Sequence, residues 1–190
     1  MEKRLNNFLD KKGAGKRALI LFVLTNLVYA FMLLVSIPET MKYSNGMKLL
    51  DMMPLGYDLN YVNDLFQALG ATGRKTYLIK QLPADMIYPI LFGLTYCLIM
   101  AYLLKKLNWL KKPIIFLCFL PVIAAIADYF ENIGIAYLLI SYPDISTLSV
   151  YITNIFSMCK SVSTSIYFVV LLLLLISLGY QALNRRKTNP

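Results

Sequence analysis

Residues 161–184, SVSTSIYFVVLLLLLISLGYQALN, run through twenty-four positions without a charged side chain. The hydrocarbon core of a bilayer is about 30 Å thick, and about 20 apolar residues in a helix cross it. This stretch is therefore long enough to span. Working outward from it, three more segments have the same character. Ala18 to Ile37 carries no charge, and Met86 to Leu104 is uncharged between Asp85 and Lys105. The segment after Pro113 continues to about Ile140, broken only by Asp128 and Glu131.

Composition agrees with the local reading. The chain has 190 residues, of which 58% are hydrophobic and 15% charged, with a mean hydropathy of +0.61. Soluble domains are about 45–50% apolar and about 25% charged. Lipid offers no partner to an open backbone amide, so only helices and closed barrels cross it. Barrel strands alternate in short segments, whereas these runs are continuous. The predicted fold is all-α: a bundle of four transmembrane helices over about 18–37, 84–104, 114–140 and 157–181, forming a single domain. The first span is read as a retained helix, because its apolar run exceeds a signal peptide's and Ile37-Pro38-Glu39 is no small-residue cleavage site.

Orientation follows from lysine and arginine. Lys3, Arg4, Lys11, Lys12, Lys16 and Arg17 precede the first span. Lys105, Lys106, Lys111 and Lys112 join the second to the third, and Arg185, Arg186 and Lys187 follow the fourth. These thirteen compare with five in the 44-residue connection 38–81. The positive-inside rule then places both termini in the cytoplasm and 38–81 outside. The expected location is the plasma (inner) membrane, with multiple spans. The net charge of +9 is mostly this topology signal and suits anionic lipid headgroups on the cytoplasmic side. No basic domain stands outside the membrane, so nucleic acid is not an expected partner.

The outer connection is too long for a simple link. Pro54-Leu55-Gly56 reads as a turn. Asp58 is a candidate N-cap for a short helix with Leu59, Val62, Leu65, Phe66 and Leu69 on one face and Gly70 as its stop. That amphipathic helix either folds over the bundle as a lid or lies in the interface.

Polar residues then recur at helical spacing. Arg74, Tyr77, Gln81, Asp85 and Tyr88 line one face. Asp128, Glu131 and Asn132 stand at i, i+3 and i+4 of the third span. Lys160 lies among Asn154, Ser157, Ser161, Thr164 and Ser165. Counting about 1.5 Å per residue from the inner ends puts Asp128 ~21 Å, Glu131 ~26 Å, Asp85 ~29 Å and Lys160 ~30 Å up. An ionisable group within a span costs about 2.5–3.5 kcal/mol on insertion scales, so it normally faces a cavity or a partner. The candidate site is an outward-facing polar cavity of Arg74, Tyr77, Gln81, Asp85, Asp128, Glu131, Asn132 and Lys160. Lys160 is expected to pair with Glu131 or Asp128. The three acids outnumber the two cations by one, and Asp128, the deepest, is the candidate proton or cation acceptor.

The chain has no histidine, which removes His-ligated metals, His proton relays and Ser-His hydrolysis. Cys97, Cys118 and Cys159 have no paired spacing and read as small apolar residues. No cofactor or metal is expected. Serines beside Lys160 suit Ser-Lys nucleophile chemistry, but small polar residues at this spacing more often pack helices.

Leu69-Gly70, Gly73-Arg74, Tyr77, Leu82-Pro83, Asp85, Pro89, Ala127-Asp128, Glu131-Asn132 and Tyr142-Pro143 resemble a group of small bacterial four-helix integral membrane proteins, over residues 57–143. The resemblance implies a membrane location and no chemistry. Three functional readings follow from the residues. The cavity binds a cation, an amine or a lipid headgroup; or the protein is an enzyme on a lipid substrate, with Asp128 or Glu131 as general acid or base; or it is a structural or accessory subunit whose charges form a closed, fully paired network. A homodimer or another membrane subunit is a compatible partner.

Overall fold

The computed structural model describes residues 13–111 and 113–188. Lys3, Arg4, Lys11, Lys12 and Lys112 of the orientation count lie outside the described residues, as do the side chains of Arg185, Arg186 and Lys187.

Among the described residues six α-helices follow one another: α1 Ala14–Phe31, α2 Ile37–Met41, α3 Leu59–Thr76, α4 Leu82–Lys106, α5 Leu120–Ser141 and α6 Thr147–Thr188. They join into four helices long and apolar enough to cross a membrane: Gly15–Met41, Leu59–Lys106, Ile114–Ser141 and Thr147–Asn184. Prolines explain the joints. A proline ring clashes with the carbonyl four residues back. Pro38 and Pro83 each follow a wide π-helical turn, Met32–Ser36 and Tyr77–Gln81, so the chain passes both without ending. Pro121 is taken up differently, in the first turn of α5 after the 3-10 segment Ile114–Phe119.

The second long helix starts well before residue 84. Only Gly70, with φ +59 and ψ −175, breaks the run from Leu59 to Lys106. Such a conformation is cheap for glycine alone. It divides a short amphipathic helix from the polar stripe that leads into α4. Asp58 Oδ1 accepts the Tyr61 N–H at 2.8 Å and caps the start. Most of the connection 38–81 is thus helical. The fourth long helix likewise begins earlier than residue 157, at Thr147.

α1 packs against α4, α4 against α5, and α5 against α6, whereas α1 and α6 have little contact. The packing of α5 on α6 depends on Gly134, where an added Cβ would run into Thr153. We expect Gly134→Leu to force these helices apart and lower stability by about 1–3 kcal/mol, the usual cost of overpacking, read by reversible unfolding in mixed micelles.

Burial is inverted relative to a water-soluble helix bundle. On α5, Asp128, Glu131 and Asn132 are buried, while Ile126, Phe130, Ile133, Tyr137 and Ile140 are exposed. Water would penalise that apolar face; lipid would not. Inside, two apolar clusters form. One joins Leu49, Leu50, Val62, Leu65, Phe66, Leu69, Ile135 and Leu138. The other joins Phe92, Tyr96, Met100, Leu104, Ile115, Cys118 and Tyr167. The polar residues of α4, α5 and α6 occupy the layer between them.

Candidate functional site

α5 carries three of the polar side chains on one face, as their spacing requires. α6 supplies the countercharge. Lys160 Nζ lies 3.2 Å from Asp128 Oδ1 and also contacts Glu131 Oε2. The three side chains are 18%, 8% and 0% exposed respectively. One cation thus serves two acids. Ser157, also buried, stands beside the Glu131 carboxylate.

α4 contributes Asp85, buried and without an ion-pair or hydrogen-bond partner for its carboxylate among the described residues. Its backbone carbonyl lies 3.5 Å from Asn132 Nδ2, at the limit of a hydrogen bond. The Asn132 Oδ1 atom is buried and unpartnered.

Tyr77 and Gln81, both fully buried, hold a residue that the periodicity of the spans did not single out. The Tyr77 hydroxyl donates to Asp51 Oδ1 at 2.6 Å, and Gln81 Nε2 donates to Asp51 Oδ2 at 3.1 Å. Asp51 sits in a 3-10 turn, Leu50–Met52, behind the buried Leu49 and Leu50. The signal was present in Leu49-Leu50-Asp51-Met52-Met53, an acid flanked on both sides by apolar residues. Since Asp51 belongs to no periodic element, only the tertiary fold could connect it with Gln81.

These groups surround a cavity of about 380 Å³. Asp51, Asp85, Asp128 and Lys160 line it together with Tyr29, Tyr88 and Phe92. Tyr29 stacks on Tyr88 at 5.4 Å between ring centroids, and Tyr88 meets Phe92 at 5.6 Å. Three carboxylates therefore share a chamber with an aromatic wall. Glu131, Asn132, Tyr77 and Gln81 lie behind it and do not line it.

Arg74 is not part of the chamber. Its Nη1 donates to the Phe66 carbonyl at 2.7 Å, and its guanidinium stands 4.3 Å from the Tyr142 ring centroid. It bonds a carbonyl in the last turn before the Gly70 break, and it gains a cation–π contact. The expected cation count is corrected accordingly. Among the described residues Lys160 is the only cation lining the cavity, and it is already engaged twice. Asp128, the expected proton or cation acceptor, is held by Lys160, whereas Asp85 has no ion pair among the described residues.

The neighbouring Tyr57 hydroxyl is buried and unpartnered. Burial first, and then the Glu131 carboxylate, push this phenol well above its ordinary range, so it remains neutral. Its backbone N–H donates to Asn154 Oδ1 at 3.0 Å. Gly56, with φ +88, holds a backbone conformation that favours glycine, and a Cβ added there would run into the Asn154 side chain. Among the described residues no group of three His, Cys, Asp or Glu side chains is arranged to hold a metal ion.

No protein-family model, curated protein or solved structure matches the chain, so its functional reading rests on its own geometry.

Proposed function

We propose that this chain is a multi-pass membrane protein that binds an organic cation, an amine or a quaternary ammonium ion, in the cavity between its long helices. The observation that carries the reading is the charge balance of the chamber. Among the described residues Asp51, Asp85 and Asp128 line it against Lys160 alone, and Lys160 is committed to Asp128 and Glu131. An ionisable group within a span normally faces a cavity or a partner, and the Asp85 side chain lines the cavity without an ion pair among the described residues. Tyr29, Tyr88 and Phe92 line the same chamber, and aromatic rings attract organic cations through their quadrupole. A structural network would be closed and fully paired; a chamber with an unpaired acid argues against that reading.

The test is calorimetric titration of the protein, in a nonionic detergent, with tetramethylammonium. Saturable binding to the wild type and a loss of about tenfold to a hundredfold in Asp85→Asn are expected. This is the range for removing a charged partner worth about 1.5–3 kcal/mol. Binding of equal strength in the mutant would overturn the proposal.

The membrane arrangement belongs to the same reading. We place 38–81 outside the plasma (inner) membrane and both termini in the cytoplasm, near anionic headgroups, on the lysine and arginine asymmetry. In a background free of Cys97, Cys118 and Cys159, Leu55→Cys should react with a membrane-impermeant maleimide in intact cells, since Leu55 is 91% exposed. Lys187→Cys should be protected. The reverse labelling pattern would invert the topology.

A further inference from the structure

We infer that the organic cation is an amphiphile, with one ammonium head and an apolar tail and without a phosphate, and that its tail lies in a lateral opening between α1 and α6. The inference rests on the cation-binding reading above and goes on to the chemical class of the ligand and its route of access.

The shape of the chamber supplies the first argument. Its acids come from the turn at Asp51 and from α4 and α5, all on one side. Met32, Leu33 and Ile37 on the α1 side and Ser161 and Thr164 on α6 also line it. These two walls flank the cavity without packing closely on each other. Leu33, which lines the cavity, is itself 43% exposed, and the next residue, Leu34, is 78% exposed. By the reading above that surface faces hydrocarbon. The α1 wall is built on the wide turn Met32–Ser36, which places Met32 inside and Leu33 at the margin. Such turns often accompany functional sites. A ligand that fills both parts must carry its charge at one end and apolar matter at the other.

Charge supplies the second argument. A phospholipid headgroup would bring a phosphate within reach of Asp51, Asp85 and Asp128. The only lining cation among the described residues, Lys160, already neutralises part of the acidic cluster. The phosphate would therefore be repelled, whereas an ammonium head alone would meet the unpaired Asp85 and the Tyr88 face. A small inorganic cation would leave most of a cavity of about 380 Å³ unfilled.

The experiment compares tetramethylammonium, hexyltrimethylammonium and decyltrimethylammonium, titrated into wild type and Leu33→Trp in the same nanodiscs. A tail-borne diazirine on the decyl compound reports contact, and phosphatidylcholine and phosphatidylethanolamine carrying the same diazirine form separate arms. Wild type should favour the longer chains, and Leu33→Trp should reduce the ratio of decyl to tetramethyl affinity by about tenfold, an effect equivalent to one or two buried methylenes. Photolabelling should fall on Met32, Leu33 and Ile37. If tetramethylammonium binds through Asp85 but the ratio is unchanged and the label falls elsewhere, the cation site stands and the lateral opening is refuted. If the phospholipids label those residues and tetramethylammonium displaces them, the exclusion of phosphate is refuted. If no ammonium compound binds, both the cation reading and this inference fail.

Discussion

Lys160→Met is expected to lower the stability of the solubilised protein by about 3–5 kcal/mol, the cost of removing one partner of a buried ion pair. The upper half of that range is anticipated, because a single cation is shared. Its removal leaves both Asp128 and Glu131 without the group that contacts them, and these carboxylate side chains are 8% and 0% exposed. Glu131→Gln in the Lys160→Met background should restore part of the loss, and Asp128→Asn added to both should restore more. Coupling of about 0.5–3 kcal/mol between contacting groups is the size to look for in the mutant cycle. Strictly additive changes, measured by reversible unfolding in mixed micelles, would show that the three side chains do not act together.

Phe66→Ala should be comparably damaging, at about 3–5 kcal/mol, as for other fully buried phenylalanines. Phe66 is 0% exposed, and its ring meets Tyr142 edge-on at 5.9 Å between centroids. Together with Val62, Leu65 and Leu69 it presses the short amphipathic helix onto Ile135 and Leu138. Ile140→Ala is the control: Ile140 is 70% exposed and should change stability by less than about 1 kcal/mol. If the helix instead lay in the membrane interface with its apolar face toward lipid, both substitutions would be mild. A small effect of Phe66→Ala would therefore detach the helix from the bundle.

These two results concern parts of the protein that differed in legibility. The helices of the bundle could be read because hydropathy is a local property: each long apolar run specifies a helix without reference to the others. The shared face of Asp128, Glu131 and Asn132 was equally accessible, since helix geometry alone brings i, i+3 and i+4 together. Helix limits were harder. Pro83 and Pro89 suggest a boundary, yet the chain continues from the Gly70 break to Lys106. A π-helical turn absorbs the clash from Pro83, and nothing in residue propensity announces such a turn.

The site divides along the same line. By itself, the sequence determined that the chain forms long apolar helices, that polar side chains occur on particular faces of three of them, and that acids outnumber bases in that layer. Those properties follow from residue type and a fixed helical period. Only the tertiary structure decided which groups meet. It sent Arg74 to the Phe66 carbonyl and the Tyr142 ring, joined Asp51 to Tyr77 and Gln81, gave Lys160 to two carboxylates, and left Asp85 facing a cavity without an ion pair among the described residues. A charged side chain takes whatever partner the packing of distant segments brings within a few ångströms. Because Coulomb energy depends on separation and local dielectric rather than on distance along the chain, the pairing is settled when α3, α4, α5 and α6 come together.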